Sequence, residues 1–221
     1  MLCCRRPRHI SGALLLAAIL TPLPAAAATE EAQAWLTESV NIAASPRDTV
    51  SLDVSERFRR DSSGGDQQTV RILIDHRVAK GVLLGGGIAF FHSGPDQELR
   101  FFEQASVTRG IFLARTRLEQ RFFDTTERTG WRLRQRFQAS IPLGSAKAPT
   151  LVAATEFFFQ LNRAKASDKP GLAMMRQQIG LRQPLGRSVD LQLLYMRQQS
   201  FRDHRPDAVA HVPWATLSWK I

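Results

Sequence analysis

The stretch RTRLEQRFFDTTERTGWRLRQRF, residues 115–137, decides the fold because its charges follow a strict two-residue repeat. Seven of its twenty-three residues are arginine. The charged residues at every second position are Arg115, Arg117, Glu119 and Arg121 in the first half and Arg132, Arg134 and Arg136 in the second. Apolar residues such as Leu118 and Leu133 stand between them. A period of two places successive side chains on opposite faces of a β-strand, so the stretch predicts a hairpin with one cationic and one apolar face.

The same alternation recurs along the chain, whereas the 3.6-residue period of a helix is almost absent after residue 28. Besides the two strands above, it predicts strands at Trp35–Ala43, Thr49–Arg60, Thr69–Ala79, Leu84–Phe90, Leu99–Thr108, Leu151–Asn162, Leu172–Gln183, Val189–Tyr195 and Ala215–Ile221. The pattern thus gives roughly eleven strands, most of them roughly nine to twelve residues long, which suits a tilted transmembrane strand. Strands of soluble proteins centre nearer about five or six residues.

Short turns alternate with longer polar loops between these strands. The short connections are 45–48, 79–81, 109–110 and 185–188, with 144–150 as a longer member of the same set, and the polar loops are 61–68, 93–97, 124–130, 163–170 and 200–207. This asymmetry is typical of outer-membrane barrels. We therefore expect an all-β fold: a closed antiparallel up-and-down transmembrane β-barrel in one domain, residues 29–221. Because single-chain bacterial barrels have even strand numbers, we expect ten or twelve strands.

A lipid environment decides which face points inward. An arginine on the outer face costs about 2–4 kcal/mol near the bilayer midplane. The three arginines of the second strand would together cost on the order of 6–12 kcal/mol there. We therefore predict an interior charge network formed by Arg115, Arg117, Glu119, Arg121, Arg132, Arg134, Arg136, Glu156, Arg176 and Arg182. A simple hairpin closed by 124–130 places Glu119 opposite Arg134 and brings Glu156 near Arg136.

The N-terminal segment, residues 1–28, has the layout of a cleaved secretory signal peptide. Three arginines at positions 5, 6 and 8 precede a short apolar run from Ile10 to Leu23, and small residues follow at 25–28. We predict cleavage near Ala28, export, and a location in the outer membrane of a Gram-negative-type envelope.

Export limits the chemistry of the mature chain. Both cysteines, Cys3 and Cys4, leave with the signal peptide, so we expect neither a disulfide nor a thiolate metal site. Removing the three N-terminal arginines from the formal net charge of +10 leaves +7. In an exported protein this charge indicates anionic lipid headgroups or lipopolysaccharide as partners, and no nucleic acid. The barrel-assembly machinery is a further expected partner, and the oligomeric state stays open.

Four motifs carry a resemblance to a known family: RTRLEQRF, GWRLRQRF, LVAATEFFFQLN and MRQQIGLRQPLG. In them the chain resembles the outer-membrane barrel family labelled domain of unknown function 2490. The matching positions are Arg115, Arg117, Glu119, Arg121, Phe122, Arg132, Arg134, Glu156, Phe158, Arg176 and Gly180. The resemblance covers most of the mature chain and is most specific between residues 115 and 182. It implies a barrel but brings no activity with it.

The excess of inward arginines favours a non-enzymatic, porin-like barrel, either structural or a narrow, mildly anion-selective channel. Glu119 and Glu156 lie among arginines that stabilise their charged forms, which suits charge partners better than acid–base catalysts. The histidines at 76, 92, 204 and 211 lack the motif of a hydrolase and the close spacing of a metal site. We therefore expect no catalytic residue, no metal and no cofactor.

Two alternatives stay open. One is an outer-membrane accessory for lipid or polysaccharide export or binding, in which the loops would be the sensitive part. The other is a soluble periplasmic lipocalin-like binding barrel, which would put the apolar face inside and the arginines in water.

Overall fold

The computed structural model describes residues 28–94, 96–145, 147–203 and 206–221. They form twelve β-strands and one 3-10 turn at Asp61–Ser63. The strands are β1 (Thr29–Ala32), β2 (Ala34–Ala43), β3 (Asp48–Phe58), β4 (Gln67–Ala79), β5 (Val82–Ser93), β6 (Asp96–Arg109), β7 (Phe112–Phe123), β8 (Thr126–Pro142), β9 (Thr150–Gln160), β10 (Gly171–Pro184), β11 (Val189–Ser200) and β12 (Ala208–Lys220). The predicted signal peptide lies outside the described residues except for Ala28, so its cleavage stays a prediction.

The strands form one closed sheet. From β2 to β12, each strand pairs antiparallel with the next along the chain, and β12 then pairs with β2 to close the barrel. The predicted all-β up-and-down barrel is thereby confirmed. The remaining strand, β1, precedes β2 and is separated from it only by Gln33. It pairs with β12 in the same register as β2 does. The sheet therefore contains twelve strands, of which eleven close the barrel.

The closing pair is parallel, which corrects the expectation of an antiparallel sheet throughout. Trp35 lies beside Trp214, and Asn41 beside Lys220. Each strand of a meander reverses the chain direction, so the first and last of eleven strands must run the same way. The odd number around the barrel departs from the even-number rule on which the expectation of ten or twelve rested.

Side chains alternate between the interior and the outer surface along each strand. Arg117 and Arg132, on the inner face, are 2% and 8% exposed. Ile179 and Leu193, on the outer face, are 53% and 54% exposed. Strands β2 to β8, β10 and β11 each carry at least one large apolar side chain that is similarly exposed. The arginine network is therefore enclosed and many large apolar side chains are exposed on the outer surface, the reverse of what the lipocalin-like alternative requires.

The two rims differ less than predicted. One rim, which we call the loop rim, has the connections 59–66, 94–95, 124–125, 161–170 and 201–207. The other, the turn rim, has 44–47, 80–81, 110–111, 143–149 and 185–188. The predicted loops 93–97 and 124–130 are shortened to two residues each, because β6 begins at Asp96 and β8 at Thr126. Only three connections of the loop rim are long.

Two glycines of β5 bring backbone and interior side chains close together. A Cβ added at Gly85 would overlap the Asp75 carboxylate. One added at Gly87 would overlap the carbonyl oxygen of Ile72 and lie 2.7 Å from Phe102 Cζ. Glycine inside a strand is favoured where other groups approach this closely. Because Gly85 and Gly87 have no side chain, β5 leaves room inside the barrel for side chains from β4 and β6.

We predict that Gly87→Ala destabilises the barrel by roughly 1–3 kcal/mol, the usual cost of overpacking a tight interior. The measurement is urea-induced unfolding of the refolded protein in detergent, followed by tryptophan fluorescence. Gly186→Ala is the matched control, because a Cβ at Gly186 meets no atom within 4 Å. Equal unfolding midpoints for the two variants would contradict the close approach at β5.

Candidate functional site

The barrel encloses an interior cavity of about 680 Å³ whose lining reaches towards both rims. Arg59 lines it at the loop rim, and Leu83 and Leu113, the second residues of β5 and β7, line it near the turn rim. The charged lining residues are the arginines Arg57, Arg59, Arg71, Arg100, Arg115, Arg117, Arg121, Arg132, Arg134, Arg136 and Arg176 and the carboxylates Asp53, Asp75, Glu98, Glu119 and Glu156. Eleven positive charges thus face five negative charges, an excess of six.

Glu119 of β7 is a fully buried carboxylate with several guanidinium partners. It accepts hydrogen bonds from Arg132 at 2.5 Å and from Arg134 at 2.6 Å, and Arg117 Nη1 lies 4.0 Å from its nearer oxygen. Hydrogen bonds between ionised groups are roughly twice as strong as those between neutral groups. The buried charge of Glu119 is therefore compensated by two arginines of β8 and by Arg117 of its own strand.

The register between β7 and β8 corrects one prediction. Glu119 lies opposite Arg132, not opposite Arg134. The hairpin turns at 124–125, and β8 contains two additional residues between the partners of Arg121 and Phe123. This bulge shifts every pair below it, and its position is not visible in a pattern of period two. Glu119 reaches Arg134 only along the diagonal.

Glu156 of β9 is the second buried carboxylate of the network. Its oxygens lie 2.8 Å from Arg134, 3.0 Å from Arg115 and 3.7 Å from Arg136. In the β8–β9 register Glu156 stands opposite Arg136. Because Arg134 also binds Glu119, this one guanidinium bridges the two carboxylates. The strands β7, β8 and β9 are thereby joined into one charge network.

Glu98 of β6 belongs to the same interior, and sequence reasoning missed it. Its carboxylate lies 2.5 Å from both Arg100 and Arg121. These two arginines stand directly opposite each other in the β6–β7 register, so their repulsion requires a carboxylate nearby. Glu98 shares the face of Arg100, which is the signal that could have found it. The predicted strand began at Leu99 and so left Glu98 at the loop edge.

A polar chain extends the network towards β4. Arg117 donates to Gln104 Oε1 at 2.6 Å through Nη2 and 3.1 Å through Nε. Gln104 Nε2 in turn donates to Asp75 Oδ1 at 2.9 Å. A neutral amide thus links the buried guanidinium of Arg117 to a carboxylate three strands away. Each member of the chain has a partner, which a buried polar network requires.

Aromatic rings pack against several of the interior arginines. Phe158 is 2% exposed, and the guanidinium carbons of Arg134 and Arg176 lie 4.6 and 4.8 Å from its ring centre. Arg117 lies 4.1 Å from the ring centre of Phe102. A cation over an aromatic face gains about 0.5–2 kcal/mol, more where water is excluded.

Arg59 lies at the loop-rim end of the cavity. Its guanidinium donates to Ser93 Oγ at 2.6 Å and to the carbonyl of Gly65 at 2.8 Å. Burial lowers the pKa of Arg59 from its usual value. An arginine nevertheless stays protonated at neutral pH.

The structure brings nine of the ten predicted network residues into the interior cavity. The tenth, Arg182, does not line it. Arg182 has the inward phase of Arg176, but it lies two residues from the end of β10 at the turn rim and is exposed. No carboxylate of the described residues lies within 4.0 Å of it. Its assignment to the network is corrected, because the strand carries it past the enclosed part of the barrel.

The described histidines at 76, 92 and 211 lie outside this cavity. His76 contacts Asp48 at 2.7 Å near the turn rim, and His211 contacts Tyr195 Oη at 2.5 Å on the outer surface. His204 lies outside the described residues. Within the described part of the chain, no three His, Cys, Asp or Glu side chains gather as metal ligands would. The same residues contain no helix with the length and apolar character needed to cross a membrane.

These features define a class of protein: a closed β-barrel with an apolar outer surface and an interior in which arginines outnumber the carboxylates that pair with them. The chain belongs to the family described as protein of unknown function DUF2490, whose model matches residues 32–209. The family resemblance seen in the motifs is thereby confirmed. The match runs from the end of β1 to the start of β12 and so includes all of the charge network. No curated protein matches the chain.

We predict that Glu119→Gln lowers the free energy of unfolding by roughly 3–5 kcal/mol, because it leaves the buried Arg132 without its anion. Urea unfolding in detergent measures the change. Glu127→Gln is the control: Glu127 is exposed, has no ion pair within 4.0 Å among the described residues, and should change stability by less than about 0.5 kcal/mol. Similar losses in both variants would argue against a special role for the buried network.

Proposed function

We propose that the chain is a non-enzymatic outer-membrane protein that forms a narrow, anion-selective channel. The observation that carries this proposal is the interior cavity, where eleven arginines face five carboxylates. A low-dielectric wall focuses the field of such an excess charge, so anions are concentrated inside and cations are repelled. The cavity lining extends from near the loop rim to near the turn rim, as a passage along the barrel axis requires.

The outer surface supports the membrane location. Its exposed large apolar side chains occur on nine strands, whereas soluble monomers rarely expose apolar patches beyond a few hundred Å². Strands β2 to β12 are 10 to 17 residues long. A tilted strand needs about nine to eleven residues to cross the hydrocarbon core. Each strand of the barrel is therefore long enough to span a bilayer.

The strand number supports a narrow passage. Side chains fill barrels of about eight strands, or leave room for one small ligand, and barrels of about 16–18 strands leave an aqueous channel. Eleven strands lie between these limits. The buried carboxylates Glu98, Glu119 and Glu156 hold arginines along the β6–β9 wall, which narrows the passage further.

The membrane location predicts opposite labelling of two neighbouring leucines. Leu193 is 54% exposed on the outer surface and Leu194 is 5% exposed inside. Each is replaced by cysteine in the mature chain, which has no other cysteine. In isolated outer membranes, a lipid-soluble maleimide should label Leu193→Cys and spare Leu194→Cys. Free reaction of Leu193→Cys with a water-soluble maleimide would place the outer surface in water.

The channel predicts conductance with a preference for chloride. In planar bilayers under a KCl gradient, the sign of the reversal potential should show chloride to be more permeant than potassium. Arg115→Gln removes one positive charge from the interior and should reduce the preference for chloride. In this variant Glu156 still pairs with Arg134. Arg187→Gln, exposed in the turn between β10 and β11, removes the same charge outside the barrel and should have little effect at high salt.

Two outcomes of these recordings would overturn the proposal. A barrel that inserts without conducting above background, or that prefers potassium, contradicts the anion channel and favours a structural role. Reproducible hydrolysis of the bilayer lipid by the same preparation contradicts the non-enzymatic assignment.

A further inference from the structure

Two strand arginines of the interior cavity, Arg57 and Arg176, have no carboxylate within 4.0 Å among the described residues. Eight of the eleven lining arginines lie within 4.0 Å of a carboxylate oxygen. Among the described residues, the exceptions are Arg57, Arg59 and Arg176. Arg59 is occupied by Ser93 and the backbone of the loop rim. Within the strands, the lining guanidiniums that lack a carboxylate within 4.0 Å are therefore those of Arg57 and Arg176.

These two arginines meet at Trp35 of β2. Their guanidinium carbons lie 4.0 Å (Arg57) and 5.0 Å (Arg176) from the Trp35 ring centre, so they are at most 9.0 Å apart, the sum of those distances. In the sheet, β11 and β12 separate β10 from β2, so the contact of Arg176 with Trp35 spans two intervening strands inside the barrel. Trp35 is 3% exposed and packs edge-on against Trp214 at 5.4 Å. The ring that both arginines contact is thus held in place.

Both guanidiniums keep free donors. Arg57 donates through Nη1 to Gln67 Oε1 at 2.8 Å, and its buried Nε has no hydrogen-bond partner. Arg176 donates through Nε to Gln198 Oε1 at 2.8 Å. A guanidinium carries five N–H groups and one positive charge. One glutamine oxygen therefore accepts only some of the hydrogen bonds that each guanidinium can donate, and a neutral amide does not balance the charge. Buried charged donors left unpaired are costly, and an anion with several acceptor oxygens would relieve that cost.

We propose that Arg57 and Arg176 form a binding site for a dianionic phosphate group, carried by inorganic phosphate or a small phosphomonoester. Two unpaired guanidiniums match two negative charges, and their forked donors match the oxygens of phosphate. Trp35 and Phe158 already pack against these guanidiniums, so their ring faces are occupied and do not stack on an aromatic solute. The site therefore recognises its ligand by charge. This inference rests on the proposed anion channel and names the ligand of its interior.

Calorimetric titration of the purified barrel in a phosphate-free detergent tests the site. Inorganic phosphate and glycerol phosphate, titrated separately at constant chloride, should bind saturably with one site per barrel. Arg57→Gln and Arg176→Gln should each weaken the affinity by about tenfold or more, because each removes charged hydrogen bonds to the ligand. Where Arg57→Gln does not refold, Arg57→Lys keeps the charge and loses the fork, and it should still weaken binding.

Arg136→Gln separates a local site from a diffuse field. It removes the same charge from the same cavity, but from an arginine that shares Glu156 with two others. Its expected loss is smaller, about threefold or less, since it acts only at a distance. Equal losses in Arg136→Gln and Arg176→Gln, or no saturable binding to the wild type, would overturn the site.

The titration does not depend on conduction, so the two proposals fail separately. A barrel that conducts chloride selectively but binds neither ligand overturns the phosphate site alone. A barrel that binds phosphate through Arg57 and Arg176 but does not conduct overturns the channel and supports the site.

Discussion

The ion pairs of Arg134 are the interaction on which the rest of the interior depends. This guanidinium lies 2.6 Å from Glu119 and 2.8 Å from Glu156, so one side chain of β8 joins carboxylates of β7 and β9. In a low-dielectric interior each such pair is strong, and a missing partner is correspondingly costly. These charged side chains stay enclosed, and the two-residue period then places the alternate side chains on the outer surface. Most of the exposed large apolar side chains lie at those outward positions.

The arginines that pair with carboxylates and those that do not lie in different parts of the barrel interior. On the β6–β8 side every lining arginine has a carboxylate within 4.0 Å, and these pairs stabilise the wall. Around Trp35 the guanidiniums of Arg57 and Arg176 contact rings and neutral amides instead. Removing a paired arginine takes a partner from a buried carboxylate, whereas removing an unpaired one relieves repulsion. In our proposal the paired arginines stabilise the barrel, and Arg57 and Arg176 bind the solute.

The sequence alone predicts what depends on local alternation. The strands, their inward and outward faces and the enclosed position of nine charged residues follow from the period of two. What it does not predict depends on contacts between distant segments or on local irregularity. The two-residue turn at 124–125 and the bulge near Phe123 together place Glu119 opposite Arg132 instead of Arg134, and no side-chain pattern marks either. The contact between Trp35 and Arg176 joins positions 141 residues apart, and the period gives only the face of each. Arg182 lies on the inward face as predicted, but it is too near the turn rim to line the cavity. The two-residue period gives the face of a side chain and not its position along the barrel axis.

The parallel closing pair places the two ends of the barrel strands at opposite rims. Thr29 pairs beside Ala208 next to the loop rim, and Lys220 pairs beside Asn41 next to the turn rim. In a meander with an even number of strands the ends meet at one rim, and a few residues suffice to join them. Here the thirteen positions from Thr29 to Asn41 correspond to roughly 40 Å of strand. Circular permutation of this barrel would therefore require a linker of at least about a dozen extended residues, threaded through the charged interior or laid along the outer surface.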